Sequence, residues 1–129
     1  MKSIEVVAAI ILEDKNVLVT QRGYGEFEGL WEFPGGKIET SESHYEALVR
    51  EIKEELLIDI TVDKYLCTVQ YDYPNFHLTM HCYICSIVSG EIKLLEHKSA
   101  CWLSPDNLHS VSWLPADVEV IAQLQRELK

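Results

Sequence analysis

Apolar residues recur along the chain with two different periods, and the change from one to the other marks the elements. Val6 to Leu12 is a β-branched and aliphatic run, and Val17-Leu18-Val19-Thr20 is a second. Asp14-Lys15-Asn16 between them predicts a turn, so the two runs form a hairpin. Gly23-Tyr24-Gly25 marks a loop, and Leu30-Trp31-Glu32-Phe33 is a short extended piece stopped by Pro34-Gly35-Gly36. Tyr65 to Tyr73 and Phe76 to Val88 read as two further strands around Pro74-Asn75. Gly90 predicts a turn and Ala100-Cys101-Trp102-Leu103 a short strand.

Helical spacing takes over in two places. Ser43 and Glu46 have the S-x-x-E form of a capping box, in which each side chain satisfies the other residue's free N–H. Leu48, Ile52 and Leu56 follow at i, i+4 and i+8, predicting a helix over about 44–57 with one apolar stripe. Val120, Ile121, Leu124 and Leu128 predict a last helix over about 117–128. Ser104-Pro105-Asp106 has the form of an N-cap followed by proline at the first helical position. Strands and helices interleave without repeats or linkers, which predicts one α+β domain, residues 1–129, with a mixed, mostly antiparallel sheet.

Composition is that of an ordinary globular chain: 129 residues, 47% apolar and 25% charged. No apolar stretch approaches the roughly 20 residues that span a bilayer. The start, Met1-Lys2-Ser3-Ile4-Glu5, lacks the h-region of a signal peptide, so the expected location is cytoplasmic with no membrane partner. A net charge of −10 argues against binding a nucleic-acid polymer through a positive field. It leaves open a phosphorylated small molecule bridged to the acids by divalent cations. Cys82-Tyr83-Ile84-Cys85 has C-x-x-C spacing, but within a strand residues three apart point to opposite faces, so the two thiols do not share a metal.

The acids concentrate between Gly35 and Ile58. Glu51, Glu54 and Glu55 lie at i, i+3 and i+4, which puts three carboxylates on one side of the helix. Like charges at that spacing call for a counter-charge, and Mg²⁺, with Mn²⁺ as a substitute, suits carboxylates, waters and phosphates together. Arg50 lies one turn from both Glu46 and Glu54 and is also placed to hold Glu42.

Gly36, Glu42 and Arg50-Glu51-Ile52-Lys53-Glu54-Glu55-Leu56-Leu57-Ile58 resemble the Nudix box, G-x5-E-x7-R-E-U-x-E-E-x-G-U, over 36–58. A chance match at the six polar and glycine positions is on the order of 10⁻⁷ per window. The departure is Leu57, where the family has glycine; positive φ there costs a residue with a Cβ about 1 kcal/mol, so a slightly altered helix exit is expected. Gly29 to Glu39 resembles the entry segment of MutT-like members, and the likeness covers nearly the whole chain.

The resemblance implies an α/β/α sandwich and a pyrophosphohydrolase that splits a nucleoside triphosphate into monophosphate and pyrophosphate. It implies metal ligands at Glu51, Glu54, Glu55, the Gly35 carbonyl and Glu96, with Glu51, Glu54 or Glu96 as the base and Arg50 in the catalytic group. Lys37 is either a phosphate contact or a solvated loop lysine. Asp117 is either the reader of the base edge, pointing to CTP-type nucleotides or to oxidised dGTP, or a plain helix N-cap. Arg22 and Tyr73 are weaker candidates for the base pocket. The expected partner is a small nucleotide, with the protein a monomer or homodimer. Two alternatives stand beside this reading: hydrolysis of a diphosphate-linked compound such as ADP-ribose, and a non-catalytic nucleotide sensor, which would have lost box carboxylates that are all present here.

Overall fold

A computed structural model describes residues 2–128. The chain folds into strands β1 (Lys2–Glu13), β2 (Asn16–Arg22), β3 (Trp31–Glu32) and β4 (Gly35–Lys37), helix α1 (His44–Leu56), strands β5 (Asp59–Tyr73), β6 (Phe76–Ser89) and β7 (His97–Leu103), and helix α2 (Pro115–Glu127). The sheet runs β3-β2-β1-β6-β5, with β4 paired to β1 and β7 to β2. Among the described strands β1 and β6 pair in parallel and the others antiparallel, and Trp31 adds an isolated parallel bridge to Trp113. α1 covers one face and α2 the other, giving the expected α/β/α sandwich.

Strand β1 organises both cores because its side chains alternate. Val7, Ala9 and Ile11 pack under α1 with Leu48, Ile52 and Leu56, while Ala8 and Ile10 pack under α2 with Val120, Ile121 and Leu124. The same alternation puts Cys82 in one core and Cys85 in the other, both as free thiols. The β1–β2 hairpin closes through Asp14 and Lys15, both at positive φ (51° and 69°), the pair of left-handed residues a two-residue hairpin needs.

Several boundaries differ from those expected. Gly35 and Gly36 do not merely stop a strand; with Lys37 they form β4 against Val6, Val7 and Ala8. β5 begins at Asp59 rather than Tyr65, because bulges near Val62 and Tyr65 absorb the polar Asp63-Lys64 pair that breaks the sequence alternation. β7 begins at His97, paired with Arg22. Ser104 caps nothing, and only one 3-10 turn forms at Pro105–Asn107. α2 starts at Pro115, whose fixed φ suits a first helical position, so Asp117 sits inside the first turn and is not the N-cap.

The helix exit is also corrected. Leu57 itself takes the left-handed conformation (φ 57°, ψ 32°), and its N–H donates to the Lys53 carbonyl, so the turn is kept rather than altered. The neighbouring carbonyls of Leu56 and Glu55 accept from Lys93 and Leu95 at 2.9 and 3.2 Å. Those bonds fasten the loop before β7 to the end of α1. Leu57→Gly removes the Cβ strain, and urea unfolding should show a gain of about 1 kcal/mol with activity retained.

Candidate active site

The capping box forms as expected: Ser43 accepts from the Glu46 N–H at 3.0 Å and Glu46 accepts from the Ser43 N–H at 2.9 Å. Glu46 is thereby occupied, and Arg50 turns to the loop instead. Its Nε and NH2 donate to both Glu42 oxygens at 2.6 and 2.8 Å, and NH2 also donates to the Lys37 carbonyl at 3.0 Å. NH1 reaches Glu51 at 2.9 Å and Glu54 at 3.3 Å. One guanidinium therefore pins β4 and the following loop to α1. It holds the Glu42 carboxyl down at about 2, while Arg50 itself is shifted up.

Glu51 and Glu55 turn inward along α1, and Glu54 flanks them in solvent with its side chain 58% exposed. Burial pushes the Glu51 carboxyl up, against the pull of Arg50. Burial pushes Glu55 to about 9, with Glu51 and Glu96 adding like-charge repulsion. Glu55 Oε1 is buried with no hydrogen-bond partner. Glu96, delivered by the loop tied to the end of α1, shares an open cleft of about 490 Å³ with Glu55, Gly35, Arg22 and His97. Glu32, Glu55 and Glu96 line this cleft, whereas Glu51 and Glu54 do not; acids there, one of them orphaned, suit a hard divalent cation.

The glycines make this approach possible. A Cβ on Gly35 would overlap the Val7 carbonyl, and one on Gly36 would overlap the Glu51 carboxylate. β4 is thus a thin partition with the carboxylates on one side.

On its other side lies a second cleft of about 570 Å³, floored by Val6, Ala8, Leu78 and Met80 and walled by Phe27, Phe33, Tyr73 and Phe76. Trp31 bonds Ser112 and Leu114 through its N–H and C=O at 2.8 and 2.9 Å, which brings the first turn of α2 beside Phe33. Asp117, 4% exposed, lies at the end of this cleft and accepts the Phe33 N–H at 2.9 Å. Burial pushes its carboxyl to about 8, outweighing the Phe33 bond that pulls it down. Near neutral pH Asp117 is therefore largely protonated and retains a donor that an ionised carboxylate lacks.

Tyr73 packs on Phe27 and Phe76 (ring centroids 5.3 and 4.9 Å apart) and accepts the Ala116 N–H at 3.1 Å, so it both lines the cleft and anchors α2. Arg22 forks onto Glu32 at 2.7 and 3.0 Å at the seam where both clefts meet. Lys37 is exposed at the end of β4, and its carbonyl accepts from Arg50.

Sequence reasoning passed over Glu32, which lines both clefts, and His97, whose Nδ1 is buried without a partner and which burial holds below its usual range. It also passed over Phe27, Phe33 and Phe76. The inward position of Glu32 was detectable only as an acid between the aromatics Trp31 and Phe33.

Residues 2–124 match the NUDIX domain family. The chain belongs to the Nudix family. This Nudix hydrolase is 39% identical over 122 residues to the CTP pyrophosphohydrolase of Escherichia coli K12, covering 94% of this chain and 90% of that one. It is 31% identical over 128 residues to the 8-oxo-dGTP diphosphatase of the same organism, covering 98% and 99%. The crystal structure of the MutT protein from Methanosarcina mazei Go1 superposes with a TM-score of 0.86 at 26% identity, covering 99% of this chain and 96% of that one. The Nudix hydrolase here is thus of the MutT-like kind. Nudix hydrolases act on small nucleotides and use divalent metals. No helix among the described residues is long and apolar enough to cross a membrane.

Proposed function

We propose that this Nudix hydrolase, acting as one unit over residues 1–129, is a Mg²⁺-dependent pyrophosphohydrolase that converts a nucleoside triphosphate and water to the monophosphate and pyrophosphate. The observation that carries the reading is the pair of clefts divided by β4: acids and an orphaned carboxylate oxygen on one side, an aromatic-walled slot ending in Asp117 on the other. A nucleotide has the same two halves.

Glu51, Glu54, Glu55, Glu96 and the Gly35 carbonyl hold the metal in this reading. When bound, Mg²⁺ (or Mn²⁺) neutralises the triphosphate and lowers the pKa of the attacking water. Glu51 or Glu54, with Glu96 as a third candidate, takes the proton as water oxygen bonds to the β-phosphorus. The bond from that phosphorus to the bridging oxygen breaks, and the oxygen leaves with the monophosphate. Arg50 keeps Glu51 and Glu54 aligned, and Lys37 at the rim of β4 meets the phosphate tail. Phe33 and Tyr73 bound the base, Asp117 reads its edge, and Arg22 borders both halves.

The substrate is 8-oxo-dGTP or a CTP/dCTP-type nucleotide. The two E. coli relatives carry those names, and a protonated Asp117 can both donate to and accept from a base. That role fits removal of unwanted nucleotides from the cytoplasmic pool by a monomer or homodimer. Pyrophosphate release with Mg²⁺ across the NTPs, dNTPs, 8-oxo-dGTP, 5-methyl-dCTP and ADP-ribose tests the reading. Turnover of one triphosphate well above the rest is expected. Preference for ADP-ribose, or nucleotide binding without turnover, overturns it.

A further inference from the structure

Strand β6 carries two histidines on one face, and the nucleotide site uses neither. One of them, His81, lies on the α1 face of the sheet beside Glu5 of β1, with Nε2 2.7 Å from Glu5 Oε2. His44, the first residue of α1, stacks on the His81 ring at a centroid separation of 4.3 Å. The ligand atoms of Glu5, His44 and His81 all lie within 4.8 Å of one another.

Each imidazole is also oriented from behind. His44 Nδ1 meets the Tyr83 hydroxyl at 2.7 Å, and His81 Nδ1 meets the Thr68 hydroxyl at 3.0 Å. The Tyr65 hydroxyl in turn contacts Thr68 at 2.7 Å. With the Nδ1–H of each ring donating to its hydroxyl, Nε2 is the ring nitrogen left for a metal; at His81 that nitrogen carries the proton it shares with Glu5 until an ion displaces it. Metal-binding histidines are held in this way, by a hydrogen bond at the second ring nitrogen.

We propose that Glu5, His44 and His81 form a second metal site, selective for Zn²⁺-class transition ions and separate from the Mg²⁺ carboxylates. Two imidazoles and one carboxylate suit Zn²⁺, which binds such ligands at about 2.0–2.2 Å and leaves a fourth position for water. They do not suit Mg²⁺, which takes oxygen ligands. The ion enters between His81 Nε2 and Glu5 Oε2, and the proton shared there is released to solvent. Glu5 is exposed and both histidines are partly exposed, so the site is open to ions in solution. His44 is seven residues before Glu51, about 10 Å along the helix axis, which separates the two metal sites on one helix. Bound there, the ion clamps the start of α1 to β1 and β6.

Calorimetric titration of Zn²⁺ into the metal-free protein in excess Mg²⁺ tests the site. One equivalent should bind and raise Tm, and His44→Gln and His81→Gln should each weaken it at least about tenfold. Both variants should keep normal Mg²⁺-supported hydrolysis, and Glu54→Gln should keep the Zn²⁺ equivalent. If a histidine variant fails to fold, Glu5→Gln at the exposed carboxylate carries the same test. Absence of Zn²⁺ binding, equal binding by all three variants, or its loss in Cys67→Ser instead, overturns the proposal.

Discussion

Glu55→Gln is expected to lower kcat by about two to four orders of magnitude while making the metal-free protein more stable at alkaline pH. The two effects have one cause. Glu55 is 8% exposed, and its Oε1 has no hydrogen-bond partner. Its carboxyl titrates at about 9 against a usual 4.5. A raised folded-state pKa contributes stability that is fully present below about 4.5 and is lost as pH rises through about 9. Glutamine fills the same volume without the charge. Thermal melts at pH 8 in chelator should place the variant roughly 5 °C above the parent, and the difference should vanish near pH 4. Glu54→Gln separates the terms: it should lose turnover by a similar factor, but its exposed side chain gives no reason for a melting shift. Near-normal turnover in either variant removes that carboxylate from the metal set.

Asp117 is expected to give the second large effect, on recognition. Its carboxyl is pushed to about 8, so the donor form prevails at neutral pH and disappears above that value. On the preferred triphosphate, kcat/KM of the parent should fall about tenfold per pH unit above 8. Asp117→Asn keeps one donor and one acceptor in the same place and should show no such fall. The ratio of the two profiles cancels ionisations of metal-bound water that both proteins share. Asp117→Ala should cost about 10²-fold in kcat/KM, and leaving the Phe33 N–H unpaired should cost about 1–3 kcal/mol of stability. A parent-to-Asn ratio that stays flat from pH 6 to 9.5 would show that the group does not read the base.

What could be read from the sequence was local. Ser43 with Glu46, the Leu48-Ile52-Leu56 stripe and the spacing of Gly36, Glu42 and Arg50 each specify their neighbours within a few turns, and α1 formed accordingly. The hairpin at Pro74-Asn75 and the opposed faces of Cys82 and Cys85 were equally local. What escaped depends on partners far along the chain. Asp117 could be read as a base reader or as an N-cap, because nothing nearby reveals that the Phe33 N–H, 84 residues away, donates to its carboxyl. Gly35-Gly36 looked like a stop signal because the pairing that makes it β4 is supplied by Val6–Ala8. Glu32 is placed at the candidate site only by its pairing with Arg22 and by the two clefts that meet beside it. Leu57 led to the expectation of a slightly altered helix exit, yet Lys93, Leu95 and Gly90 hold the helix end in place around it.

The alternation along β1 has a further consequence for how such a protein diversifies. Val6 and Ala8 face the aromatic cleft, and Val7 and Ala9 lie under the helix that bears the carboxylates. Adjacent positions on one strand thus belong to separate selective regimes. In the proposed reading, substitution at Val6, Leu78 or Met80 reshapes base preference while the carboxylates keep their support. Hydrolysis can therefore be inherited unchanged while recognition is free to evolve.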